Sequence, residues 1–141
     1  MKPEKIIYQI SMTSTGGREG TVMGPGLGRP WKLTLPKEMG GPGGEGTNPE
    51  QLFAAGYSAC FLGAIRFVAR GRKMALPDDM SVTATVGIGP VDPGYCLTAR
   101  LEVRIPGIER NMAAELVAAA HQRCPYSHAT RGNVDVELVV V

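Results

Sequence analysis

The chain has 141 residues, a usual length for one domain, and its 43% hydrophobic and 20% charged residues exclude a disordered polymer. Its net charge of +2, without a basic run or stripe, gives no reason to expect nucleic acid. The opening Met1-Lys2-Pro3-Glu4-Lys5 carries no apolar segment of the signal-peptide kind. The most apolar stretch, Leu52 to Val68, is interrupted by Gly56, Ser58, Gly63 and Arg66, short of the roughly 18 apolar residues of a membrane span. The expectation is a soluble, cytoplasmic protein.

In chain order, Lys5 to Ser14 reads as a strand, with Ile6, Tyr8, Ile10 and Met12 on one parity. Gly16-Gly17 turns the chain into a short apolar piece, Thr21 to Met23, and Trp31 to Leu35 reads as another short strand. Residues 36–47, rich in glycine and proline, form a loop long enough to suggest a function. A helix follows from Pro49 to about Lys73. Asn48 suits its cap, proline its first position, and Gln51 the third residue after the cap. It is apolar on nearly every face up to Val68, so it belongs in an interior. Two alternating strands, Val82 to Ile88 and Leu97 to Ile105, make a hairpin across Gly89-Pro90 and Asp92-Pro93-Gly94. Asn111 opens a second helix that runs to about Arg123 before Pro125, and Asn133 to Val141 alternates again.

This order gives an α+β fold with mainly antiparallel sheet, in one domain spanning 1–141. A sheet with one apolar face covers only part of an all-round apolar helix, so a second copy of the chain is the simplest cover for the rest.

Three cysteines in a chain too large to need disulfide staples allow redox chemistry without requiring it. Cys60 lies within the apolar helix, where cysteine often only packs. Cys124 ends the second helix, where the dipole raises a thiol pKa, which suits a resolving thiol better than an attacking one. Cys96 falls on the strand parity opposite Leu97 and Ala99 and reads as non-catalytic. Arg18, after two glycines, and Glu50, in the first turn of the long helix, are the charged residues at telling places. Taken singly, they also fit an ordinary loop arginine and helix-start glutamate. His121 and His128 flank Cys124, but without any Cys-x-x-Cys they make a poor zinc set. A Cys-His acyl-transfer pair would lack an orienting third residue.

Two segments, Asn48-Pro49-Glu50-Gln51-Leu52-Phe53-Ala54-Ala55-Gly56-Tyr57-Ser58-Ala59-Cys60-Phe61 and His121-Gln122-Arg123-Cys124-Pro125-Tyr126-Ser127, resemble the organic hydroperoxide resistance proteins. These are a branch of the family named for the osmotically inducible protein C. Thr15-Gly16-Gly17-Arg18-Glu19-Gly20 and Ala129-Thr130-Arg131-Gly132-Asn133-Val134-Asp135-Val136 look like the same branch, so the likeness runs along nearly the whole chain.

The resemblance implies an intertwined homodimer whose sheets wrap a pair of central helices, with active sites at the subunit interface. It implies a peroxidatic Cys60, a resolving Cys124, and Arg18 with Glu50 as the charged pair. It implies no bound cofactor, and recycling by a dithiol such as lipoamide or a lipoylated protein. A disulfide between residues 60 and 124 would require their Cα atoms within about 7 Å. Phe53, Tyr57, Phe61 and Tyr126 are the candidate walls of an apolar substrate pocket, with ordinary core packing as the other reading. The rival functions are a peroxidase of the sister branch with a broader peroxide range and a thiol redox sensor.

Overall fold

In the computed structural model, which describes residues 1–141, the chain divides into two units, Met1–Pro49 and Glu50–Val141.

The first unit is built on short strands. β1 (Thr13–Thr15) pairs antiparallel with β2 (Thr21–Met23), which pairs antiparallel with β3 (Trp31–Lys32). The β1–β2 connection is tight because of its glycines. Gly16 and Gly17 take φ of 76° and 60°, a region side-chain-bearing residues seldom enter. A Cβ at Gly20 would overlap the Thr15 carbonyl. Two expected strands come out shorter. Of the 5–14 segment only Thr13 and Ser14 join a strand, and Ile6, Ile7, Tyr8, Ile10 and Met12 are exposed. A strand is stable only with a ladder partner, and within the chain residues 5–12 form no named strand. The Trp31–Leu35 strand ends at Lys32, followed by a single bridge from Leu33 to Thr47. The 36–47 loop holds one short 3₁₀ turn, Lys37–Met39.

The second unit begins with α1 (Pro49–Gly71), within two residues of its expected end. Tyr57, Phe61, Ala64, Ile65 and Val68 recur at helical spacing and form its buried face. That face packs in one core with Leu101 and Val103 of the sheet and Leu116 and Val117 of α2. Each fully buried large side chain, such as Ile65, Leu101 or Leu116, contributes roughly 1.5–3 kcal/mol. The all-round burial expected of α1 is not seen within the single chain. Ala55, Ala59, Gly63 and Phe67, four residues apart, make an exposed outer face. Contrary to the count of interruptions above, α1 is long and apolar enough in composition to cross a membrane. A helix at the centre of a folded core meets the same description.

β4 (Ser81–Pro90) and β5 (Tyr95–Arg104) form the expected hairpin in antiparallel register, Ala84 opposite Leu101 and Val82 opposite Val103. β6 (Val136–Val140) joins β5 in parallel, the exception to an otherwise antiparallel pattern. A parallel return needs a crossover, which α2 (Arg110–His121) and α3 (Pro125–Thr130) provide. α2 starts one residue earlier than Asn111. The Glu109 carboxylate accepts hydrogen bonds from the backbone N–H groups of Asn111 at 3.0 Å and Met112 at 3.1 Å, a cap of about 1 kcal/mol.

Candidate active site

Cys60 sits at the border between the buried and exposed faces of α1 and is half-buried, whereas Cys124 is fully buried. The two sulfurs are 3.6 Å apart, longer than the ~2.05 Å of a disulfide but in direct contact, and both thiols are free. The sequence placed Cys124 at the end of the second helix. The chain instead leaves α2 after His121, and Cys124 is the N-cap residue of α3. Pro125 at the first helical position is a recognised start signal, read above only as a stop for α2. Cys124 therefore lies beyond the last turn of α2, and the dipole of that helix is no longer the reason for its role.

The Cys124 corner is held at both ends. Its N–H donates to the Ala120 carbonyl at 2.9 Å, and its carbonyl accepts from the His128 N–H at 3.0 Å. Behind it lies a polar cluster that no local motif announces. The Tyr57 hydroxyl, on α1, lies 2.9 Å from Ser127 Oγ and 3.2 Å from Thr130 Oγ1, both on α3. Ser127 Oγ is 2.8 Å from His121 Nδ1, on α2. The Arg131 guanidinium donates to the His121 carbonyl at 2.6 Å and contacts His128 Nδ1 at 3.2 Å. His121 thus has the orienting partner that the sequence did not supply. Its pKa is lowered, first by burial and then by the charges of Arg131 and His128.

A cleft of about 790 Å³ opens over Cys60, lined also by Gly63, Ala64, Phe67, Gln122, Arg123, Pro125 and His128. The Arg123 guanidinium lies 5.8 Å from the centre of the Phe67 ring. Cys60 is the cysteine that lines this cleft. The expected pocket aromatics are elsewhere. Tyr57 and Phe61 are fully buried in the core and do not line the cleft. Phe53 meets Tyr57 edge-on and Tyr126 lies tilted against both, partly exposed and packed over Gly56.

Burial pushes the Cys60 thiol above its ordinary pKa. A hydrogen bond from the Tyr126 backbone opposes this, and the neighbouring Cys124 reinforces it. Arg18 lies in the first unit, in the 3₁₀ turn Gly17–Glu19, and Glu50 is in the first turn of α1. Cys96 is exposed on β5 opposite Gly89. No group of three or more His, Cys, Asp or Glu side chains converges on a point that could hold a metal ion.

The OsmC-like protein family matches residues 41–139. An organic hydroperoxide resistance protein of Xanthomonas axonopodis pv. citri is 49% identical over 98% of this chain and 97% of its own length. The chain belongs to the organic hydroperoxide resistance branch of the OsmC-like family. The fold agrees with that membership. A crystal structure of an organic hydroperoxide resistance protein from Legionella pneumophila superposes with a TM-score of 0.90 at 47% identity, covering 96% of this chain and 98% of that one. OhrB of Bacillus subtilis gives 0.86 at 37% identity, over 96% and 100%. This family member therefore has the α+β architecture that the motifs implied.

Proposed function

We propose that the protein is a thiol peroxidase that reduces organic hydroperoxides to alcohols. The observation that carries this reading is the asymmetry of the cysteine pair: Cys60 opens to a cleft, and Cys124 is buried behind it at 3.6 Å. The names of its relatives support the substrate class.

The Cys60 thiolate attacks the terminal peroxide oxygen. A sulfur–oxygen bond forms, the oxygen–oxygen bond breaks, and the alkoxide leaves and takes a proton to become the alcohol. The Cys124 sulfur then displaces hydroxide from the Cys60 sulfenic acid, giving a disulfide and water. An external dithiol of the lipoyl type, on lipoamide or a lipoylated protein, restores both thiols by exchange and is itself oxidised to a cyclic disulfide. A thiol whose pKa is raised by burial needs a cation to ionise at neutral pH. We assign that cation to Arg18, oriented by Glu50 through a bidentate pair. No bound cofactor enters the scheme.

One part of the cleft is walled by Gly63, Ala64, Phe67 and Pro125, beside the polar Gln122, Arg123 and His128, and this apolar part favours alkyl or aryl hydroperoxides over hydrogen peroxide. A peroxide-consumption assay with a lipoyl dithiol as donor is expected to give faster turnover with cumene hydroperoxide than with hydrogen peroxide. Equal rates would favour the sister branch, and a single stoichiometric oxidation without turnover would favour a sensor.

We further propose that the working form is a homodimer. The second copy would pack on the outer face of α1, complete the walls of the cleft beside Gly63 and Phe67, and give residues 5–12 a partner. Sedimentation should report twice the mass of one chain, and a monomer at micromolar concentration would exclude this.

A further inference from the structure

The cluster formed by Tyr57, Ser127, Thr130 and His121 has no part in the chemistry above, yet it ties together the three elements that meet at the cysteine pair. Tyr57 lies three residues before Cys60 on α1. Ser127 lies three residues after Cys124 on α3, and His121 three residues before it at the end of α2. Tyr57 and Ser127 are fully buried and Thr130 nearly so, so water cannot replace a lost bond without opening the core.

The contacts also fix a direction for the protons. The Thr130 hydroxyl donates to the Ser127 carbonyl at 3.3 Å, so its oxygen accepts from Tyr57. The single Tyr57 proton is then used, and the Tyr57 oxygen accepts from Ser127. The Ser127 proton is used in turn, and its oxygen accepts from His121 Nδ1–H. Each group donates once and every contact is satisfied. Arg131 closes the loop by joining the end of α3 to the His121 carbonyl. The result is a rigid three-way joint whose spacing sets the distance between the two sulfurs.

We propose that Tyr57, Ser127 and His121 are positioning residues for closure of the Cys60–Cys124 disulfide, acting through α3 and not on the peroxide. The proposal rests on the cysteine pair described above, but it concerns the second chemical step alone. That step aligns two sulfurs, and a misplacement on the order of 1 Å is enough to slow such a reaction about 10²-fold.

The test separates the steps with 2,2′-dithiodipyridine as oxidant, in a Cys96→Ser background because Cys96 is exposed. Attack by Cys60 releases one thiopyridone and leaves a mixed disulfide on its sulfur. Attack by Cys124 forms the protein disulfide and releases the second thiopyridone. Tyr57→Phe keeps the ring and removes the hydroxyl. It is expected to leave the first release unchanged and to slow the second by about tenfold, as loss of a buried hydrogen bond would. Ser127→Ala should do the same and carries the test if Tyr57→Phe does not fold. His121→Asn, which keeps a side-chain N–H donor, should restore closure that His121→Ala loses.

A second release as fast as wild type in both hydroxyl variants overturns the proposal. So does an equal slowing of both releases, the mark of a general structural defect. Wild-type protein that closes the disulfide but consumes no hydroperoxide would overturn the peroxidase reading and leave this one standing.

Discussion

Replacing Cys60 by serine is expected to abolish hydroperoxide turnover, with a loss on the order of 10³-fold or more. Serine fills nearly the same space, so the core around Phe61 and Ala64 should persist. Its hydroxyl does not ionise near neutral pH and has no sulfenic state through which to pass an oxygen atom. Cys124 is no substitute, because it is fully buried and does not line the cleft. The measurement is dithiol-dependent consumption of cumene hydroperoxide, with a thermal melt to confirm folding. Turnover within a few-fold of wild type would remove Cys60 from the mechanism and the peroxidase reading with it.

Arg18→Ala is expected to slow oxidation of Cys60 by about tenfold or more at neutral pH, since a tenfold loss of thiolate corresponds to about 1.4 kcal/mol. Burial already pushes the Cys60 thiol up, and the rate rises with pH as the thiolate forms. Without its cation the thiol ionises at still higher pH, so the variant's profile should move to the alkaline side and meet that of wild type once both are ionised. A constant ratio across pH would mean that the arginine acts on something other than thiolate formation. Arg123→Ala is the necessary comparison, because Arg123 lines the cleft with Cys60. If that variant shifts the profile and Arg18→Ala does not, the cationic role passes to Arg123.

The fold was legible where a local pattern matches a tertiary fact. Alternation gave β4 and β5 because each strand has a core face and a wet face, and capping chemistry gave the start of α1. Two failures have one cause. The Lys5–Ser14 alternation predicts a strand, but a strand is completed by a neighbour that a period of two cannot name. The uniform apolarity of α1 predicts burial on every side, while one chain covers only the face through Tyr57, Phe61 and Ile65. At the site, the two cysteines could be picked out by motif. The Tyr57–Ser127 bond could not, because its partners stand 70 residues apart and neither is unusual in its own segment. α3 was missed because six residues are too few to show a helical period, although Pro125 announced it.

Under the proposed mechanism, the unequal burial of the two sulfurs also gives a direction for opening an oxidised pair. An incoming thiolate attacks along the extension of a sulfur–sulfur bond, and of the two sulfurs only that of α1 lines the cleft. On that scheme the transient adduct with the reductant forms on residue 60, and residue 124 departs as the leaving group. Oxidant and reductant would then share one doorway and have to visit in turn.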